Sequence, residues 1–292
     1  RHTRCSRDWS SDVCSSDLSD HDAARARCEE ALPLYSSVGD MLGAANCIAR
    51  LGDIALRRSD YDAARVRYEE VLPIYRRVGD VLGVANCIVR LGEIALARSD
   101  PDAGRVRYEE ALPLYRRVGD VRGEANCILR LGDIALARSD TDAAGARCEE
   151  ALSLYRRVGS VHGEADCIAC LGDIALRRSD HDGARAHYEE ALPLYCRVGN
   201  VLGEASCIAC LGQVAAAKGD KATAAAHYRD ALAMSERLHA MQNVAIAHED
   251  LGRVTEGTER DTHARAAMAA WRSMGLEAQA ERVARRFGVD GG

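Results

Sequence analysis

The dipeptide Leu-Gly recurs at Leu51, Leu91, Leu131, Leu171, Leu211 and Leu251, each forty residues after the last and without slippage. A second block keeps the same step: ALPLY from Ala31, VLPIY from Val71, ALPLY from Ala111, ALSLY from Ala151 and ALPLY from Ala191, degenerating to ALAMS from Ala231. A fixed period of this length marks stacked supersecondary units, none of which buries its apolar face alone. The chain is therefore expected to fold by repetition of one small unit, with each copy closing the core of its neighbour.

Residues 81–120 serve as the type unit. In its first half Val81, Leu82, Ala85, Ile88, Leu91, Ile94 and Ala95 fall at steps of three and four, which lays one apolar stripe along a helix. Asp80 is placed to cap that helix, and Ser99-Asp100 closes it and caps the next. In the second half Ala103, Tyr108, Ala111, Leu112 and Tyr115 form another stripe. Asp102 near its start and Arg116 and Arg117 near its end suit the helix dipole, and Gly119 supplies the left-handed residue that ends it. Pro33, Pro73, Pro113 and Pro193 lie inside the second helix, where each removes a backbone hydrogen bond. Ser153 at the equivalent place means that a local bend is expected there and not a helix end.

Leu91-Gly92, Ala95, the small Gly104, Tyr108 and Ala111 resemble the tetratricopeptide-repeat signature, in a forty-residue variant. The resemblance covers about residues 19 to 275. It departs from the family at the first-helix tryptophan, which is Ile48, Ile88, Ile128, Ile168 and Ile208 here, and in the last unit, which keeps only Leu251-Gly252. It implies an all-α fold, a right-handed α-α superhelix (solenoid) of about six helix-turn-helix repeats with a C-terminal capping helix. The expected order is an orphan second helix over 20–37, then units 41–80, 81–120, 121–160, 161–200, 201–240 and 241–275. An amphipathic helix, LEAQAERVARRF, begins the closing segment 276–292 and is expected to cover the end of the stack.

Residues 1–18, RHTRCSRDWSSDVCSSDL, share nothing with the repeats and resemble a translated sequencing adapter: DWSSDVCSSDL back-translates into a common library oligonucleotide. The segment is read as non-native and disordered, so Cys5, Trp9 and Cys14 carry no weight. A natural protein extending upstream of Ser19 is the corresponding expectation.

Composition narrows the function. A net charge of -6, one Phe and two Trp offer neither the electrostatic footprint nor the stacking platforms of a nucleic-acid binder. Charged residues interrupt every apolar run before the roughly 18 residues that a membrane helix needs. Ten cysteines outside the first segment, without a disulfide-like framework, point to a reducing cytoplasm. No phosphate-binding Gly-rich loop, Gly-x-Ser-x-Gly or His-Glu-x-x-His is present, so no enzyme activity and no cofactor are expected. The adjacent carboxylates of Tyr68-Glu69-Glu70 and its copies diverge by about 100° on a helix, which suits solvation better than acid-base work.

The family resemblance implies that the first helix of each unit lines the inner groove and that residues flanking Leu-Gly point into it. Those are Asn46, Arg50 and Asp53; Asn86, Arg90 and Glu93; Asn126, Arg130 and Asp133. Two readings of this ladder stay open: a groove that holds a protein or peptide partner, an acidic one suiting the Arg forks, or Arg residues that merely pair with the acid three positions on. The first treats Arg90 and Arg130 as exposed. Later units lose the pattern, with Asp166, Cys170 and Asp173, then Ser206, Cys210 and Gln213. Cys167, Cys170, Cys207 and Cys210 have paired C-x-x-C spacing that can chelate zinc. Cys47, Cys87 and Cys127 repeat the first cysteine without the second, which favours a buried packing role and no metal. The function expected is a non-catalytic interaction scaffold. The alternative is a C-terminal sensor region of a larger signalling ATPase or transcriptional activator.

Overall fold

A computed structural model describes the backbone of residues 12–289 and the side chains of residues 22–289. Over this span the chain consists of α-helices joined by tight turns. They are α1 (Asp12–Ser37), α2 (Met41–Arg57), α3 (Tyr61–Val78), α4 (Val81–Ala97), α5 (Pro101–Val118), α6 (Val121–Ala137), α7 (Thr141–Arg157), α8 (Val161–Arg177), α9 (His181–Val198), α10 (Val201–Ala217), α11 (Lys221–Arg237), α12 (Met241–Val254), α13 (Gly257–Ser273) and α14 (Glu277–Phe287). Helix α1 starts at Asp12, ahead of the expected residue 20; the rest of the adapter-like segment, residues 1–11, lies outside the described residues. Two compact units divide the chain, one ending at Cys127 and one starting at Ile128, inside α6.

Short polar signals set the helix boundaries. The carboxylates of Asp40, Asp60, Asp80 and Asp100 each accept a hydrogen bond from the backbone N–H three residues on, at 2.8–3.0 Å. Each cap satisfies one of the donors that a helix start leaves open. Helices α3, α5 and α9 end on Gly79, Gly119 and Gly199 in the left-handed region. The other turn is made by serine: Ser59, Ser99, Ser139 and Ser179 take φ of 58–64°, where a later repeat places Gly219. Pro73, Pro113 and Pro193 lie on exposed faces, and their helices run through them unbroken.

Two tyrosines in each of the second helices α3, α5 and α9 hold the packing. In the first unit the Tyr68 ring lies against Gly52 of α2, where an added Cβ would stand 3.0 Å from the ring. The Tyr75 ring lies over Gly83 of α4, 2.7 Å from an imagined Cβ, while its hydroxyl reaches back to Asn46 of α2. Tyr75 therefore ties together two first helices that are forty residues apart. The second unit repeats this with Tyr188 on Gly172 and Tyr195 on Gly203. Ile88 and Ile128 replace the family's tryptophan and are fully buried. Leu82, counted in the apolar stripe, is instead 41% exposed, because the stripe turns outward in the first turn of α4 while Val84 takes the inner place.

Recurrent ion pairs on the outside tie a second helix to the C-cap of the following first helix. Arg58 bonds Asp22 at 2.6 Å, and Arg98 with Asp62, Arg178 with Asp142 and Lys218 with Asp182 are the same pair further along. Arg98 holds the Asp62 carboxyl below its ordinary range. These groups are largely solvated, so each pair stabilises only slightly.

The second unit closes on α12–α14. Glu249 is 3% exposed and accepts hydrogen bonds from Trp271 Nε1 at 2.8 Å and Arg282 Nη2 at 2.7 Å. A buried carboxylate needs this combination of neutral and cationic donors. Ala280 and Val283 of α14 are buried against Met268 and Trp271 of α13. Beside them His248 Nδ1 stands 3.0 Å from His263 Nδ1, with Glu259 3.8 Å from the far nitrogen of His263. One ring donates and the other accepts, so the contact requires a neutral imidazole. Burial, then the second ring, pushes the His248 pKa down to about 4. The unfolded chain, with a His pKa near 6.5, then binds more protons over that interval. Stability contributed by this pair is complete above pH 6.5 and is lost as pH falls toward 4. We expect His248→Gln to flatten the dependence of the urea midpoint on pH between 6.5 and 4.5; an unchanged slope would mean that the pair is not its source.

Candidate functional site

The polar residues beside Leu-Gly meet in a cleft of about 290 Å³ within the first unit, lined by Asp53, Tyr68, Asn86, Arg90, Glu93 and Asn126. Asn46 and Arg50 lie on α2 outside this cleft, both exposed, and Arg130 and Asp133 belong to the second unit. Of the nine residues expected to line a groove, the structure therefore gathers five at one place.

Their bonds assign each group a distinct part. Tyr68 donates its hydroxyl to Asp53 Oδ1 at 2.7 Å, and Arg90 Nε approaches the same oxygen at 3.2 Å. The other end of the Arg90 guanidinium donates to Glu93 at 2.9 Å. Two carboxylates thus hold the guanidinium protonated against the opposing effect of its burial. The exposed Arg90 expected from the sequence is corrected: it is half-buried, bonded both to the acid three residues on and to an acid of the previous repeat. That second contact was not foreseen, because forty-residue periodicity does not say which first helix a side chain leans toward. Arg130 donates to Asp133 at 3.1 Å, as the simple pairing predicts. Arg50, by contrast, makes no hydrogen bond or ion pair among the described residues.

The asparagines are oriented from behind. Tyr75 donates to Asn46 Oδ1 and Tyr115 donates to Asn86 Oδ1, both at 2.7 Å. With its oxygen held by a hydroxyl, each amide keeps its Nδ2 donors for other partners, and Asn86, which lines the cleft, spends none of them on another described residue. Burial pushes the Tyr75 phenol up to about 12, so it remains a donor across the physiological range.

The corresponding face of the second unit reverses this polarity. Tyr195 donates to Asp166 Oδ1 at 2.7 Å and Tyr188 to Asp173 Oδ1 at 2.6 Å. Asp166 is the counterpart of Asn86 and has no N–H to offer. His162 Nε2 stands 3.5 Å from its second oxygen. Burial raises the pKa of Asp133 and of Asp173, and neighbouring carboxylates add to the rise at Asp133.

Cys47, Cys87, Cys127, Cys167 and Cys207 are all buried, and burial pushes Cys87, Cys127 and Cys207 up to about 12. Among the described residues no group of three or more His, Cys, Asp or Glu is arranged to hold a metal ion. Within the zinc candidates, Cys170 turns to Cys148 at 2.6 Å and Cys210 to Asp173 at 4.0 Å. No described helix is long and apolar enough to cross a membrane.

A family model described as tetratricopeptide repeat matches residues 13–77, 124–197 and 164–237, more than half of the chain. The chain belongs to the tetratricopeptide-repeat family. No curated protein matches it by sequence. Among solved structures it is similar to BtubC (BKLC) from P. vanneervenii, with a TM-score of 0.61 and 20% identity over 75% of this chain and 91% of that one. The Rap conjugation gene regulator of the plasmid pLS20, in complex with the Phr* peptide, gives a TM-score of 0.65 at 14% identity over 86% of this chain and 74% of that one. The signal transduction ATPase PH0952 from Pyrococcus horikoshii, which has a tetratricopeptide-repeat sensor, gives 0.64 at 14% identity. That match covers 89% of this chain and 41% of the ATPase. At these identities the likeness is one of fold, a helical-repeat scaffold.

The bonding pattern separates two arginines that occupy the same place in successive tetratricopeptide repeats. Arg90→Gln should cost about 0.5–1 kcal/mol more than Arg50→Gln, the discounted worth of a half-exposed ion-pair network. Urea midpoints of the two variants measure the difference, and equal midpoints would show that the Asp53–Arg90–Glu93 chain does not couple the repeats.

Proposed function

We propose that this tetratricopeptide-repeat chain is an interaction scaffold whose first unit captures an extended, acidic segment of a partner protein along α2 and α4. The observation that carries this reading is the bonding of Asn86. Its oxygen is engaged by Tyr115, it lines the cleft, and its Nδ2 donors make no hydrogen bond among the described residues. An extended peptide offers a backbone carbonyl at each residue, and amide donors fixed by the fold meet such acceptors without losing side-chain freedom on binding. Arg50, exposed and without a hydrogen bond or ion pair among the described residues, supplies the charge for a carboxylate of the segment. Arg90 acts from behind, with its charge already balanced by Asp53 and Glu93. A structure of the same fold, the pLS20 Rap regulator, holds a peptide, which supports this class of ligand.

The alternative, that the repeats are the sensor of a larger signalling protein, draws on the likeness to PH0952. It uses the same cleft for the signal and differs only in what the binding event controls.

Asn86→Asp separates binding from folding. Asp166 shows that aspartate accepts the tyrosine hydroxyl at this place, so the variant keeps the Tyr115 contact and replaces a donor by an acceptor. We expect peptides enriched from a displayed random library by the native chain to be rich in Asp and Glu. Their affinity should fall at least tenfold, about 1.4 kcal/mol, for Asn86→Asp, with Tm unchanged. Equal affinity for both chains would contradict the assignment.

A further inference from the structure

In the first unit three side chains from three successive helices converge: Tyr68 of α3, Asp53 of α2 and Arg90 of α4. Eighty residues on, the same three places hold Cys148 of α7, Asp133 of α6 and Cys170 of α8. Cys148 Sγ lies 2.6 Å from Cys170 Sγ, and Cys170 Sγ lies 3.9 Å from Asp133 Oδ1. Both thiols are buried, Cys148 completely and Cys170 to 6% exposure. Only here does cysteine occupy both contacting places. At the next copy of the pair Tyr188 stands with Cys210, and at the one after that Tyr228 stands with Asp250. The double replacement removes a phenol and a guanidinium and leaves two thiols in contact across adjacent repeats.

We propose that Cys148 and Cys170 are an oxidisable dithiol, a covalent modification site that closes a disulfide between α7 and α8 on reaction with a peroxide. Cys170, the less completely covered of the two, gives up its proton and attacks the O–O bond, which leaves a sulfenic acid at Cys170 and releases one water. The sulfur of Cys148 then displaces the hydroxyl of that sulfenic acid. The S–S bond forms, the S–O bond breaks, and the Cys148 proton departs with the second water. Two thiols and one hydrogen peroxide give one disulfide and two waters, with sulfur oxidised and peroxide oxygen reduced. The contact with Cys148, then burial, holds the Cys170 pKa high, so thiolate is scarce and the first step is slow. The second step joins groups already in contact and outruns further oxidation by free peroxide. The product links the second helix of one repeat to the first helix of the next, where the first unit uses the Tyr68–Asp53–Arg90 bonds.

The test uses the native chain with the exposed Cys196 alkylated under native conditions before hydrogen peroxide is added. After quenching, denaturing alkylation and tryptic digestion without reductant, mass spectrometry should find peptide 148–156 joined to peptide 158–177. Fragment ions should place the link at Cys170 and not at Cys167. The oxidised chain should melt several degrees higher, and dithiothreitol should reverse the rise. In Cys148→Ser, Cys170 should pass on to the sulfinic acid and the rise should vanish. Recovery of Cys148 as a free alkylated thiol from the oxidised native chain, or a melting rise that persists in Cys148→Ser, would overturn the assignment.

Discussion

From α1 to α11 every second helix sets at least one tyrosine ring onto a glycine of a first helix, and the remaining architecture depends on those contacts. Tyr188 illustrates the constraint in the second unit. Its ring fills the space where a Cβ on Gly172 would stand 2.7 Å from ring carbon, and its hydroxyl is held at 2.6 Å by Asp173, so the ring has no direction in which to retreat. Packing at this density is sensitive to single methyl groups, because interiors are filled like molecular crystals. The contact also accounts for the unslipped period. An inserted residue anywhere in the unit would move either the ring or the glycine and open the seam, so the spacing is under direct steric control.

Much of this was legible from the sequence, for reasons that differ between elements. The helices could be placed because Asp80, Asp100 and Gly119 are local signals whose chemistry acts within a few residues. The internal prolines could be read as tolerated because Ser153 shows the place without one. Cys87 and its copies could be assigned to the core because repetition separates what packing needs from what a metal needs. Contacts between repeats were less legible. Arg90 bonds an acid on its own helix and another thirty-seven positions earlier, and only the first follows from helical spacing. The tyrosine–asparagine bonds were hidden in the same way, because the partners lie twenty-nine positions apart on antiparallel helices. Serine in the left-handed region at Ser59 and Ser99 is a local feature that composition disguises, since glycine is the residue expected there.

The inner polar residues carry two kinds of information at once. Their backs hold the repeats together, through the hydroxyl-to-amide bonds of Tyr75 and Tyr115 and the hydroxyl-to-carboxylate bonds of Tyr68, Tyr188 and Tyr195. Their fronts are free to vary, and they do: Asn86 presents a donor where Asp166 presents an acceptor, and Arg90 gives way to Cys170. A change of Asn to Asp leaves the tyrosine bond intact, so the surface can be recoded without loss of the frame. The same freedom allowed two thiols to replace a tyrosine and an arginine together. A repeat scaffold diversifies in this manner because each copy satisfies its structural requirements with few atoms.

The tyrosine–glycine contact is tested most directly by comparing two alanine substitutions by calorimetric melting. Gly172 lies under the Tyr188 ring, whereas Gly145 is a helical glycine with nothing within 4 Å of an added Cβ. Gly145→Ala should raise the melting temperature, since helical alanine is favoured over glycine by roughly 0.5–1 kcal/mol. Gly172→Ala should lower it, overpacking by one methyl costing about 1–3 kcal/mol against the gain in helix propensity. If both substitutions raise the melting temperature alike, the rings do not set the spacing of the repeats.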